Sequence, residues 1–284
     1  MEPITRTLIH FSHALKFEDL SAEIVQQTKC LLLDYLGVTI AGARTESAQA
    51  VYSMLKDTYS LAPGPCTIIG TSARSSPEHA ALANGTASHS VELDDTHQAG
   101  SIHLGTVMFS VAIALSEIRP EIDTEQFVAA VVAGYEVSAR LAMALQPKLH
   151  YQLGFHPTAT CGVFGAAVTA ARLLHLSEDQ MLSSVGIAGS MAAGSLDFYP
   201  MAPGPNVYIP AWPRKMEFSP PSSPQRGFAD LRASWKGAMV FCLLTREMRS
   251  SISSIRIWER LLSFCIPALS LMPVAAICKL RSMV

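Results

Sequence analysis

The chain has 284 residues, 49% of them hydrophobic and 15% charged, with a formal net charge of −2. That length and apolar content supply one large buried core or two smaller ones. The near-neutral charge excludes a partner held through a phosphate backbone, which requires a clustered cationic face.

Apolar residues recur at three- and four-residue intervals through most of the first 195 positions, which predicts a mainly α fold. A first helix is expected over about Thr5 to Leu15, and Ser21 caps a longer one that ends near Gly42. A third covers Ser47 to Tyr59, a short strand covers Cys66 to Gly70 (CTIIG), and an alanine-rich helix covers Ser76 to Ser90. Further helices are expected at about Leu104 to Glu117, Asp123 to Leu145, Thr158 to Leu174 and Ser177 to Ala192. Asp123 with Gln126 and Ser177 with Gln180 are spaced as capping boxes. Gly154 and Pro157 mark a loop at GFHPT.

The six cysteines are scattered, with no C-x-x-C pair and no histidine at metal-ligand spacing beside them, which predicts a reducing compartment, cytoplasmic or mitochondrial. The opening MEPITRTLIHFSHAL lacks the charged and continuously apolar regions of a secretory signal.

Chemistry concentrates in Glu92 to Gly105, ELDDTHQAGSIHLG, which sets two adjacent carboxylates, a hydroxyl and two imidazoles within fourteen residues beside core-like sequence. Polar groups in that position must be hydrogen-bonded or must act. An imidazole, with an unperturbed pKa near ~6.5, both accepts and donates a proton near neutrality. Taken alone, a loop histidine is more often structural, and the F-H-P turn could use the His156 ring to satisfy backbone groups. His89 and His97 read as packing or rim residues, and Asp94 as a local cap or pair. As a metal site, Glu92, Asp94, Asp95, His97 and His103 match no closed zinc pattern, so no metal is expected. Without a G-x-G-x-x-G or phosphate-loop lysine motif, no nucleotide cofactor is expected either.

Four segments, in order, resemble the MmgE/PrpD family, which includes 2-methylcitrate dehydratases and cis-aconitate decarboxylases. They are KCLLLDYLGVTIAGA (Lys29 to Ala43), HAALANGTASHSVELDDTHQAGSIHLG (His79 to Gly105), AAVVAGYEVSARLAMAL (Ala129 to Leu145) and the stretch from Gly154 to Leu196. The resemblance implies a helical domain over residues 1–198, normally joined by a smaller α+β lid, and a homodimer that needs neither metal nor cofactor. Carried over residue by residue, it implies that His103, His156 and Asp95 are catalytic and that Glu92 and Thr96 bind substrate. Leu104 departs from the pattern, since many relatives have proline there.

After Leu196 the text changes. Eight of the 25 residues from Pro200 to Pro224 are proline, and Leu261 to Cys278 carries no charge. By length that segment resembles a membrane span, although Pro267 and Pro273 weaken this, and no membrane partner is expected. Back-translating Phe198 to Pro224 and shifting by one base permits FLPDGAWTKRLHPGLAPENGVFAALLA, a string in the family's own style with its lysine. Shifting the region of Leu269 to Cys278 permits a second lysine string. Residues 199–284 are therefore expected to be a non-homologous tail, out of frame over about 199–224 and 231–284, with the lid missing or scrambled. The function expected from the resemblance is a lyase acting on a small tricarboxylic acid, decarboxylating cis-aconitate or an alkylated analogue. A 2-alkylcitrate dehydratase and an inactive, partner-binding remnant are the alternatives.

Overall fold

The computed structural model describes residues 4–59 and 64–196. Expectations for residues 197–284, including the tail, its apolar segment and the shifted lysine strings, lie outside the described residues.

Local chemistry starts and stops the helices where the sequence indicates. The Ser21 side chain accepts the Ile24 N–H and opens α2 (Ala22–Gly42), which follows α1 (Ile4–Ala14). Helix α3 spans Glu46–Tyr59. Proline at the first turn, where no N–H is required, opens α4 (Pro77–His89). After α5 (Gly105–Ile118), the Asp123 capping box opens α6 (Thr124–Ala144). Prolines again open α7 (Pro147–Gln152) and α8 (Pro157–Leu173), and the Ser177 box opens α9 (Glu178–Met191).

The expected strand is shorter than its apolar run. Only Cys66–Thr67 (β1) pairs, antiparallel, with Arg74–Ser75 (β2), because Gly70 adopts a left-handed φ of 80° and turns the chain back. Helix α7 was not anticipated; it starts after Gln146, a non-glycine residue at φ 53°, and carries His150 and Tyr151.

Helix α8 is buried at sixteen of its seventeen positions and forms the axis of the bundle, packed by α5, α6 and α9. A hydrophobic core of Phe109, Leu115, Val137, Phe164 and Val168 surrounds it, and Val51, Leu55, Ile68 and Leu82 form a second cluster beneath α3. The α6 sequence is long and apolar enough to cross a membrane, yet 72% of that stretch is buried inside the fold, as a core helix requires.

Two glycines let α6 and α8 cross at backbone contact. A methyl group on Gly134 would collide with Thr169 Oγ1 and come within 2.9 Å of the Gly165 carbonyl oxygen. One on Gly165 would collide with Ser138 Oγ and stand 2.5 Å from the Gly134 carbonyl oxygen. Ser138 Oγ accepts the Gly165 N–H and donates to the Cys161 carbonyl, so the crossing is hydrogen-bonded as well as tight. Gly165→Ala is expected to destabilise the fold by about 1–3 kcal/mol through overpacking. Gly37→Ala, on the exposed face of α2 with nothing within 4 Å, is expected to stabilise it by roughly 0.5–1 kcal/mol. Urea melts of both variants check the pair of signs.

Candidate active site

The loop from Ser90 to Leu104 joins α4 to α5 and lies against the start of α8. His89 is the last residue of α4, His103 stands just before α5, and His156 is the residue that opens α8. The three rings converge. His89 and His103 meet edge to face with centroids 4.7 Å apart, and His89 stacks on His156 at 6.0 Å. The His156 ring makes no cap to α8, so it is not spent on the turn.

Asp94 sits between two of these imidazoles. Its side chain is 2% exposed; Oδ2 lies 2.9 Å from His89 Nδ1 and Oδ1 3.2 Å from His103 Nδ1. Burial alone would push its carboxyl up, but the close approach of the His103 and His89 rings outweighs burial and holds it well below the ordinary carboxylate range. Oδ1 accepts no aligned hydrogen bond, so its link to His103 is a charge contact more than a directed one. The Thr96 hydroxyl stands 3.4 Å from the same His103 nitrogen.

Asp95, next in sequence, faces a different set of partners. Oδ1 accepts the Gly105 N–H at 2.8 Å and Oδ2 accepts the Tyr135 hydroxyl at 3.1 Å, tying the loop to the first turn of α5 and to α6. Burial pushes its carboxyl up to about 6, against the pull of those two donors. Asp34 of α2 lies beside this part of the loop, and its own carboxyl is raised by burial and by the nearby Asp94 charge. Asp95 therefore meets backbone and a phenol, whereas Asp94 meets the imidazoles.

The loop carries its remaining residues in defined ways. His97 and Ile102 form an antiparallel bridge, and His97 Nδ1 accepts the Gly100 N–H at 3.1 Å. Burial lowers the pKa of that ring, consistent with a neutral loop brace. The backbone N–H of His103 donates to Thr158 Oγ1 at 3.1 Å, coupling the loop to α8. Leu104 is 2% exposed and packs in the main core. Glu92 is exposed, at φ 54°, with Oε1 3.9 Å from His89 Nε2. His156 is driven down to about 3, by burial first and then by His89 and His103, and is therefore neutral at physiological pH.

The structure thus gathers His103, His156 and Thr96 around one point, leaves Glu92 at the rim, and sets Asp95 behind the loop. His89, read from sequence as a packing or rim residue, and Asp94, read as a local cap or pair, form the centre of the cluster. The available signal was His89 at the end of a helix, five residues before Asp94.

Comparison with known proteins bears on the same residues. The family model described as the MmgE/PrpD N-terminal domain matches residues 6–203. A cis-aconitate decarboxylase-like protein, oryM, of Aspergillus oryzae is 32% identical over 197 residues, covering 67% of this chain and 40% of that protein. The cis-aconitate decarboxylase of Aspergillus terreus is 27% identical over 196 residues, covering 67% and 39%. That of Mus musculus is 30% identical over 199 residues, covering 69% and 40%. The chain spans about 40% of the length of these relatives. With both the helical architecture and a match that runs through α1 to α9, the chain belongs to the MmgE/PrpD family.

Proposed function

We propose that this chain carries the acid–base half of a lyase site that decarboxylates cis-aconitate or an alkylated analogue. The observation that supports it best is the imidazole pair anchored on the buried Asp94 carboxylate, in a chain related to cis-aconitate decarboxylases. In this reading His103 is the catalytic acid. As the carbon–carbon bond to one carboxylate breaks, its electron pair passes into the carbon skeleton, carbon dioxide leaves, and the His103 imidazolium delivers one proton to carbon. Asp94 orients that ring, in the way a carboxylate orients a catalytic imidazole elsewhere.

His156, held neutral, is a polar wall of the site rather than a base. Thr96 and Glu92 contact substrate from the loop. Asp95 is a positioning residue: through Gly105 and Tyr135 it fixes the base of the loop that carries His103. The His103 imidazole also suits removal of water from a 2-alkylcitrate, taking the proton from carbon and returning it to the departing hydroxide, and this is the second reading.

Family-style lysine strings return only after one-base shifts within residues 199–284, and cations that hold substrate carboxylates belong to such strings. Turnover is therefore expected of the frame-restored protein. Incubation with cis-aconitate and with 2-methylcitrate, following carbon dioxide release against alkene formation, separates the two readings. Turnover of neither acid would refute both and leave the partner-binding remnant.

Two further outcomes follow from the geometry. In the frame-restored protein, His103→Gln is expected to lower kcat by roughly 10²–10⁴-fold with the fold intact, measured by product release beside circular dichroism. The Asp95 carboxyl, raised in the folded chain, binds its proton more tightly there than in the unfolded chain. It therefore favours the fold below about pH 4, and that contribution is lost as pH rises through about 6. Relative to Asp95→Asn, the parent is expected to lose on the order of 2 kcal/mol of stability between pH 4 and 7, as read from urea melts across that range.

A further inference from the structure

Three ligating atoms of the site, one each from His89, Asp94 and His103, lie within 4.8 Å of one another. We infer that His89, Asp94 and His103 form a binding site for a borderline divalent cation such as zinc, one that competes with the proton-transfer role of His103.

Two of the separations are close to those around an ion. At metal–ligand bonds of roughly 2.0–2.2 Å, neighbouring ligand atoms on a tetrahedral or octahedral ion stand about 3–3.5 Å apart. His89 Nδ1 to Asp94 Oδ2 is 2.9 Å, and His103 Nδ1 to Asp94 Oδ1 is 3.2 Å. Each ring offers its Nδ1 to a different oxygen of the one carboxylate, and the three donors together close within 4.8 Å, so a modest contraction seats one ion between them. The donor set, two imidazoles and one carboxylate, is of the kind zinc takes when a fourth position stays open to water or a substrate carboxylate.

The second observation is the state of Asp94 itself. Its side chain is almost fully buried, yet Oδ1 accepts no hydrogen bond, an acceptor left short of a directed partner inside the cluster. An ion between the carboxylate and the rings would take up that acceptor. The other loop groups are committed elsewhere: Asp95 to Gly105 and Tyr135, and His97 to the Gly100 N–H.

The site is built before any ion arrives. His89 is held at the end of α4, and the backbone of His103 is held by Thr158 of α8, so little reorganisation is required. An ion seated on His103 Nδ1 would remove that nitrogen from proton transfer and act as an inhibitor. That consequence rests on the reading of His103 as the acid; the binding itself does not.

Titration of the metal-free chain with zinc chloride, by calorimetry and by equilibrium dialysis, tests the binding. One equivalent per chain is expected, with affinity weakened at least tenfold in Asp94→Asn and in His89→Gln. His10→Gln, at an exposed histidine paired with Glu178 on the opposite part of the sequence, is expected to bind as the parent does. Cobalt(II) in place of zinc is expected to give a visible absorption that His89→Gln abolishes. Melting curves of each variant show that it folds, and should Asp94→Asn fail to fold, His89→Gln carries the test. Absence of stoichiometric binding, or equal binding by the parent, Asp94→Asn and His89→Gln, overturns the site. A chain that binds zinc while its frame-restored form turns over neither acid retains this inference and loses the lyase reading.

Discussion

The close crossing of α6 and α8 is the constraint on which the site depends. Backbone contact at Gly134 and Gly165 sets the distance between the two helices, and both deliver groups to the loop. Tyr135, next to Gly134 on α6, reaches the Asp95 carboxylate. The start of α8 presents Thr158 to the His103 backbone and His156 to the ring of His89. A wider crossing would separate these two sets of contacts, because protein interiors transmit such shifts rather than absorb them.

The two adjacent carboxylates divide the work by environment. Asp94 is buried against imidazoles and is held ionised; Asp95 is buried against a phenol and a peptide N–H, and its proton affinity rises. Neighbouring acids in one sequence thus acquire opposite shifts, because the nearby imidazoles favour the charged form of Asp94 strongly enough to overcome desolvation. The first assignment carries charge to the rings; the second holds the loop in place.

The helices were legible because their signals are local. Ser21, Asp123, Ser177 and the proline of α8 all act within one turn of their own position. The strand at Cys66 was overread because an apolar run does not disclose where its pairing ends; Gly70 does. Within the site, crowding marked the loop from Glu92 to Gly105, and the resemblance singled out His103, Asp95, Thr96 and Glu92 within it and His156 beyond it. His89 and Asp94 were passed over because their importance lies in burial and in contacts across the fold. An imidazole at the end of an alanine-rich helix carries no mark of the two rings it will meet. Asp34 escaped for the same reason, reaching the loop from another helix.

Leu104 links two properties that are usually separate. Its side chain is part of the hydrophobic core, while its neighbour in sequence is the ring that faces Asp94. The reach of that ring is therefore set partly by how much volume the interior has to fill. Evolutionary drift among purely apolar positions around α5 would be read out as a displacement of an imidazole, with no polar residue altered.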